Sequence, residues 1–215
     1  MKPKKSLGQN FLKSIPALNK IIEAGEISAE DVILEIGPGK GALTKQLLGN
    51  SCQLIAVEKD KDLYELLKSK FEKEISSGQL KLVNEDILDF QTSAYSLKPS
   101  AYKIIANIPY NITGAILKKF LTEKNQPELM VLMVQKEIAE RIMARDGKES
   151  ILSISVKAYG DPKMIMKVPS RYFSPAPKVD SAIISIKNIS REVFNSPLEE
   201  YPKGEVDEFS TPSRK

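Results

Sequence analysis

Four apolar runs in this 215-residue chain end in polar or ring-bearing residues, where a strand that only filled a core would end in an ordinary turn. The run AYKIIANIPY stops at Asn107, Ile108, Pro109 and Tyr110, which bring together an amide, a rigid ring and an aromatic face. The run DVILEIG leads into GPGKGALT, with Gly37, Gly39 and Gly41 at alternate positions and Glu35 two residues before the first of them. The runs CQLIAVE and LKLVNED end in carboxylates, at Glu58 and Asp86.

Glycines between a strand and a helix permit positive φ and let a ligand approach the backbone closely. Glu58 follows Gly37 by 21 residues, the spacing at which an α/β nucleotide site puts a carboxylate on ribose hydroxyls. Position 42 is Ala42, which the dinucleotide fingerprint tolerates, so spacing alone leaves a dinucleotide open. Glu35 argues against one, because a carboxylate at the mouth of the loop repels a pyrophosphate and attracts an ammonium group. S-adenosyl-L-methionine carries ribose, adenine, an α-amino group and a sulfonium, and no phosphate. Asp86 is placed to accept from an adenine amino group, although a helix or turn cap is the other use for an aspartate there.

The tip at Asn107 then faces the sulfonium. An adenine exocyclic nitrogen is a poor nucleophile because its lone pair is delocalised into the ring. The Asn107 oxygen and a nearby backbone carbonyl can accept its N–H groups, which returns electron density to the nitrogen. Pro109 stiffens the turn and Tyr110 offers a stacking face. In-line methyl transfer by positioning and electrostatics follows, with no strong base required. The chain has no histidine and one cysteine, Cys52, which removes imidazole-based nucleophile schemes, makes a zinc site improbable and leads to no expected metal. A lone cysteine also excludes an internal disulfide and suits a reducing compartment.

The elements that must position these residues alternate. Strands are expected at 31–37, 52–58, 80–86, 101–108, 129–135, 163–169 and 180–188, and helices at 42–50, 61–74, 113–124, 136–145 and 151–160. This order predicts an α/β fold with a doubly wound, mostly parallel seven-stranded sheet covered on both faces. A 41% apolar content fills such a core, and no apolar run reaches the roughly 20 residues of a membrane span, so no membrane partner is expected. The start of the chain is basic but no apolar stretch of a secretory signal follows. Residues 1–22 hold five lysines and no acid, whereas 191–215 hold six acids and four bases; the basic arm suits a phosphate-rich partner. Residues 1–190 are expected as one domain and 191–215 as a mobile tail.

Seven segments in order, KSLGQNFL, EIGPGKGALT, VEKD, NED, NIPYNI, VQKEIAERI and YFSPAPKVDSA, make the chain resemble the ribosomal RNA adenine N6,N6-dimethyltransferases from about Lys5 to Lys187. The resemblance implies a Rossmann-like class I S-adenosylmethionine-dependent methyltransferase fold. It implies cofactor contacts from Gln9, Asn10 and Leu12, from Glu35 and the glycine loop, from Glu58 and Lys59, from Glu85, Asp86 and Ile87, and from Asn107. It also implies that Phe173 clamps a flipped base opposite Tyr110, where a core aromatic is the alternative. The substrate implied is a pair of adjacent adenines in the 3′-terminal hairpin loop of small-subunit rRNA, within a pre-30S particle, met by a cytoplasmic monomer. Relatives carry a further helical domain that is expected to be largely missing here, so 191–215 would be its remnant. A 23S rRNA adenine methyltransferase of the macrolide-resistance type and a non-catalytic ribosome-assembly factor are the other readings, with a dehydrogenase a distant third.

Overall fold

Short β-rich runs separated by amphipathic stretches cannot bury their apolar surface alone. In the computed structural model, which describes residues 3–4, 7–95, 97–98, 101–145 and 148–191, they do so by stacking into three layers. The strands are β1 (Phe11–Leu12), β2 (Val32–Ile36), β3 (Gln53–Val57), β4 (Leu80–Val83), β5 (Lys103–Asn107), β6 (Leu129–Gln135), β7 (Asp161–Val168), β8 (Phe173–Ser174) and β9 (Ser181–Lys187). The helices are α1 (Ile15–Gly25), α2 (Ala42–Leu48), α3 (Lys61–Lys70), α4 (Glu72–Ser76), α5 (Thr113–Thr122), α6 (Lys136–Met143) and α7 (Ile151–Tyr159).

Seven strands form the central sheet in the order β4-β3-β2-β5-β6-β9-β7, and β1 pairs with β8 in a separate two-stranded sheet. Pairing is parallel from β4 through β6, while β9 runs antiparallel between β6 and β7. The chain winds outward from β2 to β4 and returns to β5, so the strand order reverses between β2 and β5. Ligands of doubly wound sheets bind at such a reversal, beyond the strand C-termini.

Successive strand residues feed opposite faces. Leu34, Ile104 and Leu132 pack with α5, α6 and α7 through Ile116, Phe120, Ile142 and Val156. Ile33, Ile105 and Val131 pack with α1 and α2 through Leu18, Ile21 and Leu47. The near-continuous apolar strands follow from burial on both faces. The fold class, the seven-stranded sheet and helix α7 match the expectation, and most bounds differ by a residue or two. Three things differ more. Helix α1 had no counterpart among the expected elements, although the Ser14 side chain accepts from the Ala17 amide and Pro16 sits in the first turn, both start signals. The helix expected at 61–74 is broken at Phe71 into α3 and α4. The β1–β8 pair joins segments far apart in sequence, Phe11 lying opposite Ser174 and Leu12 opposite Phe173. The expected tail at 191–215 lies, apart from Arg191, outside the described residues. Among the described residues no helix is long and apolar enough to cross a membrane.

One buried ion pair fixes β2 against β5. Lys103 Nζ, on the first residue of β5, donates to the Glu26 carbonyl at 2.7 Å and to Asp31 Oδ2 at 2.8 Å, just ahead of β2. Burial alone would raise the Asp31 carboxyl, but the ammonium and the Ser28 amide together hold it below the usual range. The Lys103 and Asp31 side chains are only 8% and 17% exposed, whereas those of the Lys20–Glu23 pair are 47% and 69% exposed. Lys103→Ala is therefore expected to lower the free energy of unfolding by about 2–3 kcal/mol, since it removes a charge-assisted bond from half-buried Asp31 and leaves only the Ser28 amide on that carboxylate. Lys20→Ala should cost about 0.5 kcal/mol or less. Urea denaturation of the two variants at neutral pH measures both.

Candidate active site

The reversal between β2 and β5 opens into a cleft of about 340 Å³. Its floor is the glycine loop after β2, its sides are the ends of β3 and β4, and its roof is the segment Leu7–Leu12. Of the residues singled out by sequence, Gln9, Asn10, Leu12, Glu35, Gly37, Gly39, Glu58, Lys59, Glu85, Asp86, Ile87, Asn107, Ile108, Pro109 and Tyr110 all line it.

The loop is held by a carboxylate. Glu58 Oε2 accepts the Gly39 amide at 3.0 Å and Oε1 accepts the Asp60 amide at 2.8 Å, so the side chain is fixed at both oxygens. Gly37 and Gly39 have φ of 63° and 60°, the left-handed region that glycine enters without strain. They are also crowded. A Cβ on Gly39 would stand 3.1 Å from the Phe11 ring, and one on Gly37 would stand 3.7 Å from Pro109 Cδ. The Lys40 ammonium lies 4.7 Å from the centre of the same Phe11 ring. Burial pushes the Glu58 carboxyl up, against the pull of the amides that it accepts.

Two further carboxylates differ from Glu58 and from each other. Glu35 is buried at 1% exposure, and its Oε2 has no hydrogen-bond partner among the described residues; the buried Thr44 Oγ1 also has none. Burial raises the Glu35 carboxyl to about 8, Glu58 adds to the rise, and the Thr44 backbone amide and Lys70 oppose it. Asp86 Oδ1 accepts the Leu88 amide at 3.0 Å and Oδ2 takes the Lys59 ammonium at 2.5 Å. Burial would raise Asp86, yet Lys59 and the Leu88 amide hold it below the ordinary range. Lys59 thus sits on Asp86.

At the tip of β5, Asn107 Nδ2 donates to the Asn10 carbonyl at 3.3 Å. That bond determines which end of the amide is which, and Oδ1 accepts no hydrogen bond among the described residues. Pro109 has φ −61°, and the turn after it is a single 3-10 segment. The Tyr110 hydroxyl meets the Ser181 hydroxyl at 2.5 Å, and burial raises its pKa while Ser181 opposes the rise. The ring is therefore anchored at its far end, with Tyr110 half-buried at the mouth.

Two expected residues stand elsewhere. Gly41 does not line the cleft; a Cβ on it would come 2.6 Å from Phe71 Cε2 and 2.9 Å from Leu67 Cδ2, so it is a packing glycine under α3. Phe173 does not line the cleft. It is 2% exposed and packs in the core with Leu12 and Val168, because pairing of β8 with β1 turns the ring inward and leaves Ser174 at the cleft. Gln9 is at the cleft, but its side chain is engaged by Lys4 and Asp60. Of the basic arm, Lys4 is tied to Asp60 and Asp62 and Lys20 to Glu23, Lys2 and Lys5 lie outside the described residues, and Lys13 is exposed. Ser181 and Asp60 were not singled out by sequence. Asp60 had a signal in its place just before an amphipathic helix, where an aspartate caps.

The family model described as Ribosomal RNA adenine dimethylase matches residues 1–202. A protein of Dehalococcoides mccartyi (strain CBDB1) called Ribosomal RNA small subunit methyltransferase A is 44% identical over 186 residues, which cover 86% of this chain and 63% of that protein. The chain therefore spans less than two thirds of the length of that relative. Among solved structures, a dimethyladenosine transferase from Plasmodium falciparum superposes with a TM-score of 0.74 at 31% identity, covering 86% of this chain and 66% of that one. The 23S rRNA methyltransferase ErmE superposes with a TM-score of 0.71 at 30% identity, covering 83% and 69%.

Two outcomes follow from the buried groups. Glu35 is protonated in both folded and unfolded chains below about pH 4, and only the unfolded chain ionises it freely as pH rises towards about 8. Its contribution to the stability of the free protein is thus lost with rising pH over that window. Glu35→Gln should gain on the parent protein between about pH 5 and about pH 8, by an amount on the order of a few kcal/mol. Urea unfolding at the two pH values reads it. Phe173→Ala should lower unfolding free energy by about 3–5 kcal/mol, as a core truncation does; a loss near zero would return the ring to the cleft.

Proposed function

The chain belongs to the ribosomal RNA adenine dimethylase family, and from that premise we propose that it transfers methyl groups from S-adenosyl-L-methionine to the N6 atoms of two adjacent adenines in the 3′-terminal hairpin loop of small-subunit rRNA. The observation that carries the reading is the Asn107 amide. Its nitrogen is engaged by the Asn10 carbonyl, and its oxygen is left to accept at the end of a cleft lined by the carboxylates of Glu35, Glu58 and Asp86.

The cleft suits this cofactor. Glu35, Glu58 and Asp86 are acceptors, and the groups they fit are donors: an ammonium, ribose hydroxyls and an adenine amino group. The orphaned Oε2 of Glu35 is a place for the ammonium, whose charge would draw the proton off the carboxyl. When bound, S-adenosyl-L-methionine supplies an electrophilic methyl group on a sulfonium. Glu58 keeps lone pairs free on oxygens already oriented by Gly39 and Asp60. Asp86 must share its Oδ2 between Lys59 and the adenine.

For the acceptor base, Asn107 Oδ1 takes one N–H of the target amine and weakens its conjugation with the ring. Pro109, which lacks an N–H and lies against Gly37, keeps the turn from relaxing toward the floor. The Tyr110 ring, held at its hydroxyl by Ser181, offers a flat face to a base extruded from the RNA. Positioning and electrostatics supply the rate enhancement, and the amine proton becomes acidic as nitrogen turns cationic, so water can take it. The second stacking ring assigned to Phe173 has no place in this account.

Residues 1–190 form the catalytic domain in this reading, and the protein works as a cytoplasmic monomer on a pre-30S particle. The name of the 44%-identical relative favours the small subunit over the 23S target of ErmE. Immature small subunits incubated with the chain and labelled S-adenosyl-L-methionine should gain N6,N6-dimethyladenosine, and primer extension should stop at two adjacent small-subunit positions. Asn107→Ala should reduce transfer by about 100-fold or more. Tyr110→Ala should lower turnover about tenfold or more with little change in cofactor Kd, and Glu58→Ala should mainly weaken cofactor binding. Stops in large-subunit rRNA would favour the ErmE-like target, and equal background counts for parent and Asn107→Ala would favour an assembly factor without turnover.

A further inference from the structure

Asp60 is buried at 3% exposure, yet it touches none of the cleft. It caps α3, since Oδ1 accepts the Asp62 amide at 3.0 Å. A cap needs one acceptor and no charge, and asparagine or serine would serve as well. The remaining capacity of the carboxylate goes to the N-terminal arm. Oδ1 also takes the Lys4 ammonium at 2.7 Å, and Oδ2 takes Gln9 Nε2 at 2.7 Å. The Gln9 Oε1 in turn accepts the Lys4 amide at 2.7 Å, and Lys4 Nζ reaches Asp62 at 2.8 Å.

From that anchor the arm crosses the cleft. Gly8 sits so close to the catalytic turn that a Cβ would stand 3.1 Å from Asn111 Oδ1. The Asn10 carbonyl holds the Asn107 amide, Phe11 lies on Gly39, and Leu12 pairs with Phe173. The arm is thus a strap fixed at one end by a two-residue sheet and at the other by Asp60. The Asp60 amide also donates to Glu58, so the anchor and the expected ribose carboxylate are one bond apart.

We propose that Asp60 is a positioning residue for cofactor retention: through Lys4 and Gln9 it latches residues 7–12 over the cleft and links their seating to Glu58. The proposal rests on the cofactor reading above, and it assigns to Gln9 a role in closing the roof rather than in touching the ligand. Ligand exit then requires the Lys4 and Gln9 contacts to part, so the latch slows dissociation.

The test uses the full chain with S-adenosylhomocysteine as the probe. Dissociation rates come from stopped-flow competition, and hydrogen exchange of amides 7–12 is followed without ligand. The variants are Asp60→Asn, which keeps the cap, Lys4→Ala, Gln9→Ala and the Asp60→Asn/Lys4→Ala pair. Each single variant should speed dissociation about five- to tenfold and deprotect residues 7–12, as loss of a charge-assisted hydrogen bond does. The double variant should be no worse than the larger single one, because the two residues form one contact. Unchanged exchange and dissociation in Lys4→Ala and Gln9→Ala would overturn the latch and leave Asp60 a helix cap, and that result stands even if Asp60→Asn fails to fold. Failure of the parent chain to bind S-adenosylhomocysteine would instead overturn the cofactor reading, while the exchange data would still decide whether the strap is held by Asp60.

Discussion

A carboxylate buried between two backbone amides is an expensive object unless both of its oxygens are satisfied, and Glu58 is such an object. It joins the glycine loop, through Gly39, to the start of α3, through Asp60. The loop cannot move without breaking one of these bonds, and neither amide has another acceptor in helix or sheet. The loop's second neighbour is Phe11, whose ring fills the space that a side chain at Gly39 would need. Because the residues after β2 are pinned from below and above, the cleft has a defined floor before any ligand arrives. The ion pair of Lys103 with Asp31 does similar work at the opposite end of β2, away from the cleft.

Three carboxylates of the cleft have unlike surroundings. Glu58 is ordered by amides, Asp86 is paired with a lysine, and Glu35 is shut off from solvent with one oxygen, Oε2, left without a partner among the described residues. An isolated buried carboxylate is costly when charged, so the free protein meets that cost by holding the proton on Glu35. A cation brought alongside would reverse the balance.

The parallel half of the fold could be read from the chain because its strands are apolar on both faces and end in residues a core does not want. The clustering of Glu35, Glu58, Asp86 and Asn107 followed from the strand order. What escaped lies in contacts between residues far apart in sequence. Strands of two residues, such as β1 and β8, have no periodicity to detect, and their pairing reverses the side chain of Phe173 from cleft to core. Gly41 looked like its neighbours in the loop, but only the position of Phe71 reveals that it serves packing. The bonds of Asp60 to Lys4 and of Tyr110 to Ser181 span 56 and 71 positions, beyond the reach of any local pattern. Helix α1 is different: Ser14 and Pro16 announced it.

The antiparallel strand β9 enters the sheet between β6 and β7 and brings Ser181 to the hydroxyl of Tyr110. The residues lining the cleft are complete by residue 112, apart from Ser174, whereas the Tyr110 hydroxyl waits for the last strand of the sheet to be threaded into place. During synthesis on a ribosome the chain thus acquires its acidic cradle well before the Tyr110 ring is braced. A nascent or clipped chain lacking β9 would keep the one and lose the support of the other.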